Sequence, residues 1–188
     1  MDYSAIATTL VGVLAAVNLL FTFGVISRLR EHTAELAKIR SGGARDDSNV
    51  ALPAGSRIGD FTAESVDGRP VALDLLGSQP LVGFFSPSCT PCKERLPGFL
   101  AHAASRPGGR DSILAVVAGS PEEAADLVDQ LQPVATVVVE SDRGPVQQAF
   151  AVDGFPAFVL VAGDRVQVSN FDLASIIHAD SAALPAAT

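Results

Sequence analysis

Two cysteines occur in the 188 residues, and both stand in one short run, Ser88-Cys89-Thr90-Pro91-Cys92-Lys93. A structural disulfide framework would scatter its cysteines; a pair this close points to local chemistry. Cys-x-x-Cys has two common uses, half of a zinc site or a redox couple. A structural zinc site needs four ligands, usually with a second short-spaced pair. His32, His102 and His178 stand far apart, with no companion at ligand spacing. No metal is therefore expected, and thiol–disulfide exchange is. The nucleophile in exchange is a thiolate. Thiolates are favoured at a helix start, where unpaired N–H groups and the dipole supply positive potential. Cys89, just before a helix, would attack. Cys92, one turn on, would point back and resolve the mixed disulfide. Pro91 lacks an N–H and suits the first turn. Lys93 and Arg95 add positive charge, with Glu94 between them. Electrons would pass through sulfur, so no cofactor is needed.

The elements that must hold this pair follow from the apolar pattern. Strands are expected at Val71–Leu73, Leu81–Phe85, Ile113–Val117, Thr136–Val139, Phe158–Val161 and Arg165–Val168, the last two joined by a Gly163-Asp164 turn. Helices are expected from Cys92 to about Ala104, with Pro97 inside, from Pro121 to Leu131 and from Gly144 to Phe150. Ser120 can cap the second of these, with Pro121 at its first position and Glu122 and Glu123 complementing the dipole. Continuous apolar strands alternating with helices predict an α/β sheet covered on both faces. The stretch from Ala174 to Thr188 is compatible with a short helix or a loose tail.

The N-terminal quarter reads differently. No charged residue occurs between Asp2 and Arg28, a run of 25 residues. A bilayer core of about 30 Å takes about 20 helical residues, so this run is long enough to span. The segment before it, MDYS, lacks the positive charge of a cleaved signal, and the apolar stretch exceeds the usual signal core. The expected layout is an anchor at 4–27, a stalk and linker at 28–52, and a globular domain at 53–188. Within the middle part, 28–40 reads as an amphipathic helical stalk, and 41–56, crowded with Gly, Ser, Asp and Pro, as flexible linker. Net charge is −8, carried entirely from residue 51 onward by sixteen acidic against eight basic residues. A nucleic-acid partner is thereby disfavoured, because phosphate binding needs a basic face.

Taken together, these residues resemble the thioredoxin fold, and most closely its membrane-anchored TlpA/ResA type. The Cys-x-x-Cys follows an apolar strand, and Pro97 lies five residues after the second cysteine. Gly154-Phe155-Pro156 precedes a strand, as does the loop whose cis-proline faces the redox pair in that family. Phe61–Gly68 followed by Val71–Leu73 resembles the family's extra N-terminal hairpin. The run FFSPSCTPCK is also similar to the thioredoxin-like accessory protein of methylamine dehydrogenase maturation. The resemblance covers residues 57 to about 170. It implies a central mixed sheet flanked by helices with the hairpin extension, preceded by one transmembrane helix. It further implies a membrane-tethered thiol–disulfide oxidoreductase with Cys89 and Cys92 catalytic. Phe155, Pro156, Pro91, Ser88 and Thr90 would shape the substrate site, and Lys93, Glu94 and Arg95 would tune it. Its partners would be cysteine-bearing proteins and a redox partner protein.

Two departures bear on mechanism. Where thioredoxins proper carry a buried aspartate, this chain has Gly83; where related anchored reductases often carry an acid, it has Arg95. Either Glu94 or water takes the Cys92 proton, or the protein works in the direction that needs this base least; reductant and oxidant directions both stay open. A peroxiredoxin-like thiol peroxidase and a non-redox binding module are the alternative readings. The family works mostly outside the cytoplasmic membrane, which implies an extracytoplasmic domain. Arg28, Arg30, Lys38, Arg40 and Arg45 follow the apolar run and argue for the cytoplasmic side. A long flanking domain translocates largely regardless of such charge, so the outer face is the expectation.

Overall fold

The computed structural model describes residues 50–77 and 79–183. The expected anchor at 4–27 and stalk at 28–40 lie outside the described residues. Among the described residues, no helix is long and apolar enough to cross a membrane.

A five-stranded mixed sheet forms the centre. Its strands are β3 (Leu81–Phe85), β4 (Ile113–Ala118), β5 (Thr136–Glu140), β6 (Ala157–Ala162) and β7 (Arg165–Asn170), in the order β5-β4-β3-β6-β7. β3, β4 and β5 run parallel, while β6 and β7 run antiparallel to their neighbours. Every residue of β3 and β4 is buried. That is why both read as unbroken apolar runs rather than alternating ones. β1 (Ala63–Glu64) and β2 (Pro70–Val71) form the separate hairpin expected from the sequence. The strand expected at Val71–Leu73 stops at Val71, and Leu73–Leu75 turns into a 3₁₀ segment instead.

Helices α1 (Thr90–Ser105), α2 (Pro121–Leu131) and α4 (Leu173–Ala183) supply the apolar residues on one face, including Leu96, Phe99, Leu127 and Ile176. The other face is covered by α3 (Pro145–Ala149) and the N-terminal segment, through Ile58, Phe61, Val146 and Phe150. Ser120 caps α2 in a reciprocal capping box with Glu123. Glu140 accepts the N–H groups of Val146 and Gln147 at the start of α3. The C-terminal residues pack as a helix, α4. Asp180, 1% exposed, ties it to α1 by accepting hydrogen bonds from Arg106 and pairing with His102 at 2.8 Å.

The flexible linker expected over 41–56 is corrected at its end. Ala51 is buried, Leu52 donates its N–H to Phe150, and Gly55 and Ser56 pair with Val166. The apolar side chains at Val50, Ala51 and Leu52 gain a core to pack on, which their Gly/Pro-rich surroundings concealed. Arg57 bridges to Arg165, and Ile58 donates its N–H to Asp164, so this segment runs along the outer margin of β7. On the opposite margin, Val66 donates its N–H to Val137 of β5.

Candidate active site

The site is built at the carboxyl end of β3. The strand delivers the chain through Ser86-Pro87-Ser88 to Cys89, which is the N-cap of α1. The helix begins at Thr90, two residues before the expected start, and Cys89 stands just before it, as expected. Pro91 stands in the first turn, where its missing N–H leaves no helical bond unmade. Cys89 and Cys92 are joined as a disulfide, with Cα atoms 5.2 Å apart. Cys89 Sγ also accepts the backbone N–H of Cys92 at 3.1 Å. A helix N-terminus thus points a donor at the sulfur expected to carry negative charge.

The two sulfurs differ in surroundings. Cys89 is half-buried, whereas Cys92 has no exposed surface. Cys92 belongs to the apolar cluster that includes Phe85, Leu96, Phe99, Phe158, Leu173 and Ile176. The Phe85, Phe99 and Phe158 rings contact one another at centroid distances of 5.1–5.8 Å. This aromatic block explains Gly83. A Cβ there would lie 2.9 Å from the rings of both Phe85 and Phe99.

The Phe155–Pro156 peptide is cis. Ala157, the next residue, pairs with Phe84 of β3, so the loop stands beside the strand that leads to Cys89. Pro156 is buried, and half-buried Phe155 packs against the clusters on both faces of the sheet. A groove of about 540 Å³ opens beside this loop, lined by Asp142, Arg143, Gln147, Gln148, Asp153 and Phe155.

Of the other expected site residues, Ser88, Thr90, Pro91, Lys93 and Glu94 are exposed on the rim. The Ser88 and Ser86 hydroxyls lie 3.2 Å apart. Arg95 lies over the exposed ring of Phe171, 5.5 Å from its centroid. Phe171 had no signal in the sequence; a single aromatic after a strand is ordinary there. Among the described residues, no group of three or more His, Cys, Asp or Glu could hold a metal ion.

No family model and no curated protein sequence matches the chain. Solved structures do. The thioredoxin domain of a thiol-disulfide oxidoreductase from Bacteroides vulgatus superposes with a TM-score of 0.59 at 19% identity, over 70% of this chain and 97% of its own. A thiol:disulfide interchange protein from Bacteroides sp. gives 0.59 at 17%, over 74% and 95%. A secreted Mycobacterium tuberculosis disulfide oxidoreductase, homologous to Escherichia coli DsbE, gives 0.54 at 21%, over 66% and 96%. The domain has the thioredoxin fold.

Proposed function

We propose that the chain is a thiol–disulfide oxidoreductase that exchanges disulfides with cysteine-bearing proteins while tethered to a membrane by residues 4–27. The observation that carries the exchange chemistry is the bonded Cys89–Cys92 pair at the tip of α1, beside the cis Phe155–Pro156 loop. The kinship of fold with solved thiol-disulfide oxidoreductases supports it. In this reading the Cys89 thiolate attacks a substrate disulfide, and the displaced substrate sulfur leaves as a thiolate. Cys92 then attacks Cys89 Sγ, releases the second substrate thiol and closes the protein disulfide. Two electrons pass from the pair to the substrate; the reverse sequence oxidises a dithiol. In this reading the backbone around Phe155 pairs with an extended substrate segment, a form of strand addition. The tether rests on the uncharged run of 25 residues. We place the domain on the extracytoplasmic face.

The test uses the full-length chain and a protein disulfide. Cys89→Ser is expected to abolish turnover, and Cys92→Ser to leave a substrate covalently attached at Cys89, visible on a non-reducing gel. Unchanged turnover in Cys89→Ser sinks the reading. The reduction potential then assigns direction. A value near about −270 mV marks a reductant, and one near about −120 mV an oxidant. A reporter fused at the C-terminus, active only outside the cytoplasm, checks the membrane side.

A further inference from the structure

Resolution by Cys92 requires its thiol to lose a proton, and the surroundings offer none of the usual acceptors. Among the described residues, the buried polar ones are Ser65, Arg106, Thr136, Gln147, Ser169 and Asp180. Asp180 is the one carboxylate in that set. It is engaged by Arg106 and His102 at the far end of α1, roughly 20 Å along the helix from Cys92. The ionisable groups on the elements around the site stand at its rim. Lys93 and Glu94 on α1, and Asp153 ahead of the cis-proline, are exposed. Arg95 is stacked on Phe171, and Asp172 accepts the N–H and O–H of Ser175 at the start of α4. From β3, Gly83 brings no side chain, and the Phe85 and Phe99 rings fill the space one would need. A thiol set among apolar groups resists ionisation.

We propose that the Cys92 proton passes to solvent base that reaches the site beside half-buried Cys89, rather than to a side chain. The mixed disulfide at Cys89 is then resolved slowly, and a second thiol of the substrate opens it first. The protein thereby rearranges disulfides in substrates with several cysteines, in addition to transferring electrons to them. The inference rests on the exchange reading above. In the rearranging step, a substrate thiolate attacks the substrate sulfur of the mixed disulfide. A new substrate disulfide forms, the bond to Cys89 breaks, and Cys89 leaves as a thiolate at the helix tip. The count of disulfides is unchanged, so no oxidant or reductant is consumed.

The reduced full-length protein is mixed with glutathione disulfide, quenched in acid and followed by mass. The glutathione adduct at Cys89 is expected to accumulate. Its decay by Cys92 should quicken about tenfold per pH unit from about pH 6 to about pH 8, tracking the thiolate fraction of an unassisted thiol. In a second arm, a three-cysteine peptide holding one disulfide should be rearranged at neutral pH at least several-fold faster than it is reduced. A decay that is fast and flat over that pH range reveals a built-in proton acceptor and overturns the inference, as does reduction outpacing rearrangement. Either result leaves the exchange reading standing. A reduced protein that forms no adduct at all removes both.

Discussion

At the scale of single residues, the site is governed by what fits beside Cys92. Gly83 is glycine because the Phe85 and Phe99 rings occupy the place of its side chain. Gly83→Ala should destabilise the domain by about 1–3 kcal/mol through overpacking, read from urea unfolding. Gly83→Asp should cost more, because it adds a buried carboxylate with no partner. Ala151 presents the opposite case. Its φ of 47° lies in the left-handed region beside the groove at Phe155, where a Cβ costs about 1–2 kcal/mol. Ala151→Gly should raise the unfolding free energy by up to about that amount, less the entropy glycine returns to the unfolded chain. The place of the cysteine pair at a helix start was legible in the sequence, since its spacing, its proline and its position after an apolar strand all carry physical meaning locally. The aromatic block was not, because Phe85, Phe99 and Phe158 are far apart in sequence and only the sheet brings their rings together.

At the scale of elements, local signals and long-range ones divide in the same way. Helix α2 was readable from end to end, because Ser120, Pro121 and Glu123 act within one turn. Ser120→Ala should cost about 1 kcal/mol by removing the cap, measured by thermal unfolding. Helix α4 was not readable, because what fixes it is Asp180 meeting Arg106 and His102 from α1. Burial alone would push the Asp180 carboxyl up, but the hydrogen bonds from Arg106 and His102, reinforced by their charge, outweigh it and hold the group below the ordinary carboxylate range. With the folded value below the unfolded one, the stabilisation is complete above the unfolded value and is lost as pH falls through the folded one. Asp180→Asn should therefore cost about 3–5 kcal/mol at neutral pH, as expected for breaking a buried ion pair. Denaturant titrations at neutral pH and in acid should show the gap between wild type and variant narrowing on the acid side.

At the scale of the whole molecule, an α/β sheet covered on both faces follows from the alternation of apolar strands with helices, and that much was open to a reader of the sequence; the order of its strands was not. The end of the expected linker, residues 50–56, was misjudged. Pro53, Gly55 and Ser56 read as linker, yet the segment through Ile58 is held by hydrogen bonds to Phe150, Asp164 and Val166. These bonds are made by the backbone, which composition does not reveal. A chain starting at residue 59 should lose this cover and unfold at a lower temperature than one starting at residue 50. It should also self-associate more readily, because exposed strand margins recruit other chains; light scattering checks this. The segment along β7 and the hairpin tip at Val137 take up bonding positions that foreign polypeptide would otherwise use. With those positions filled by its own residues, a cysteine-bearing substrate in the proposed exchange would meet backbone already paired along both flanks.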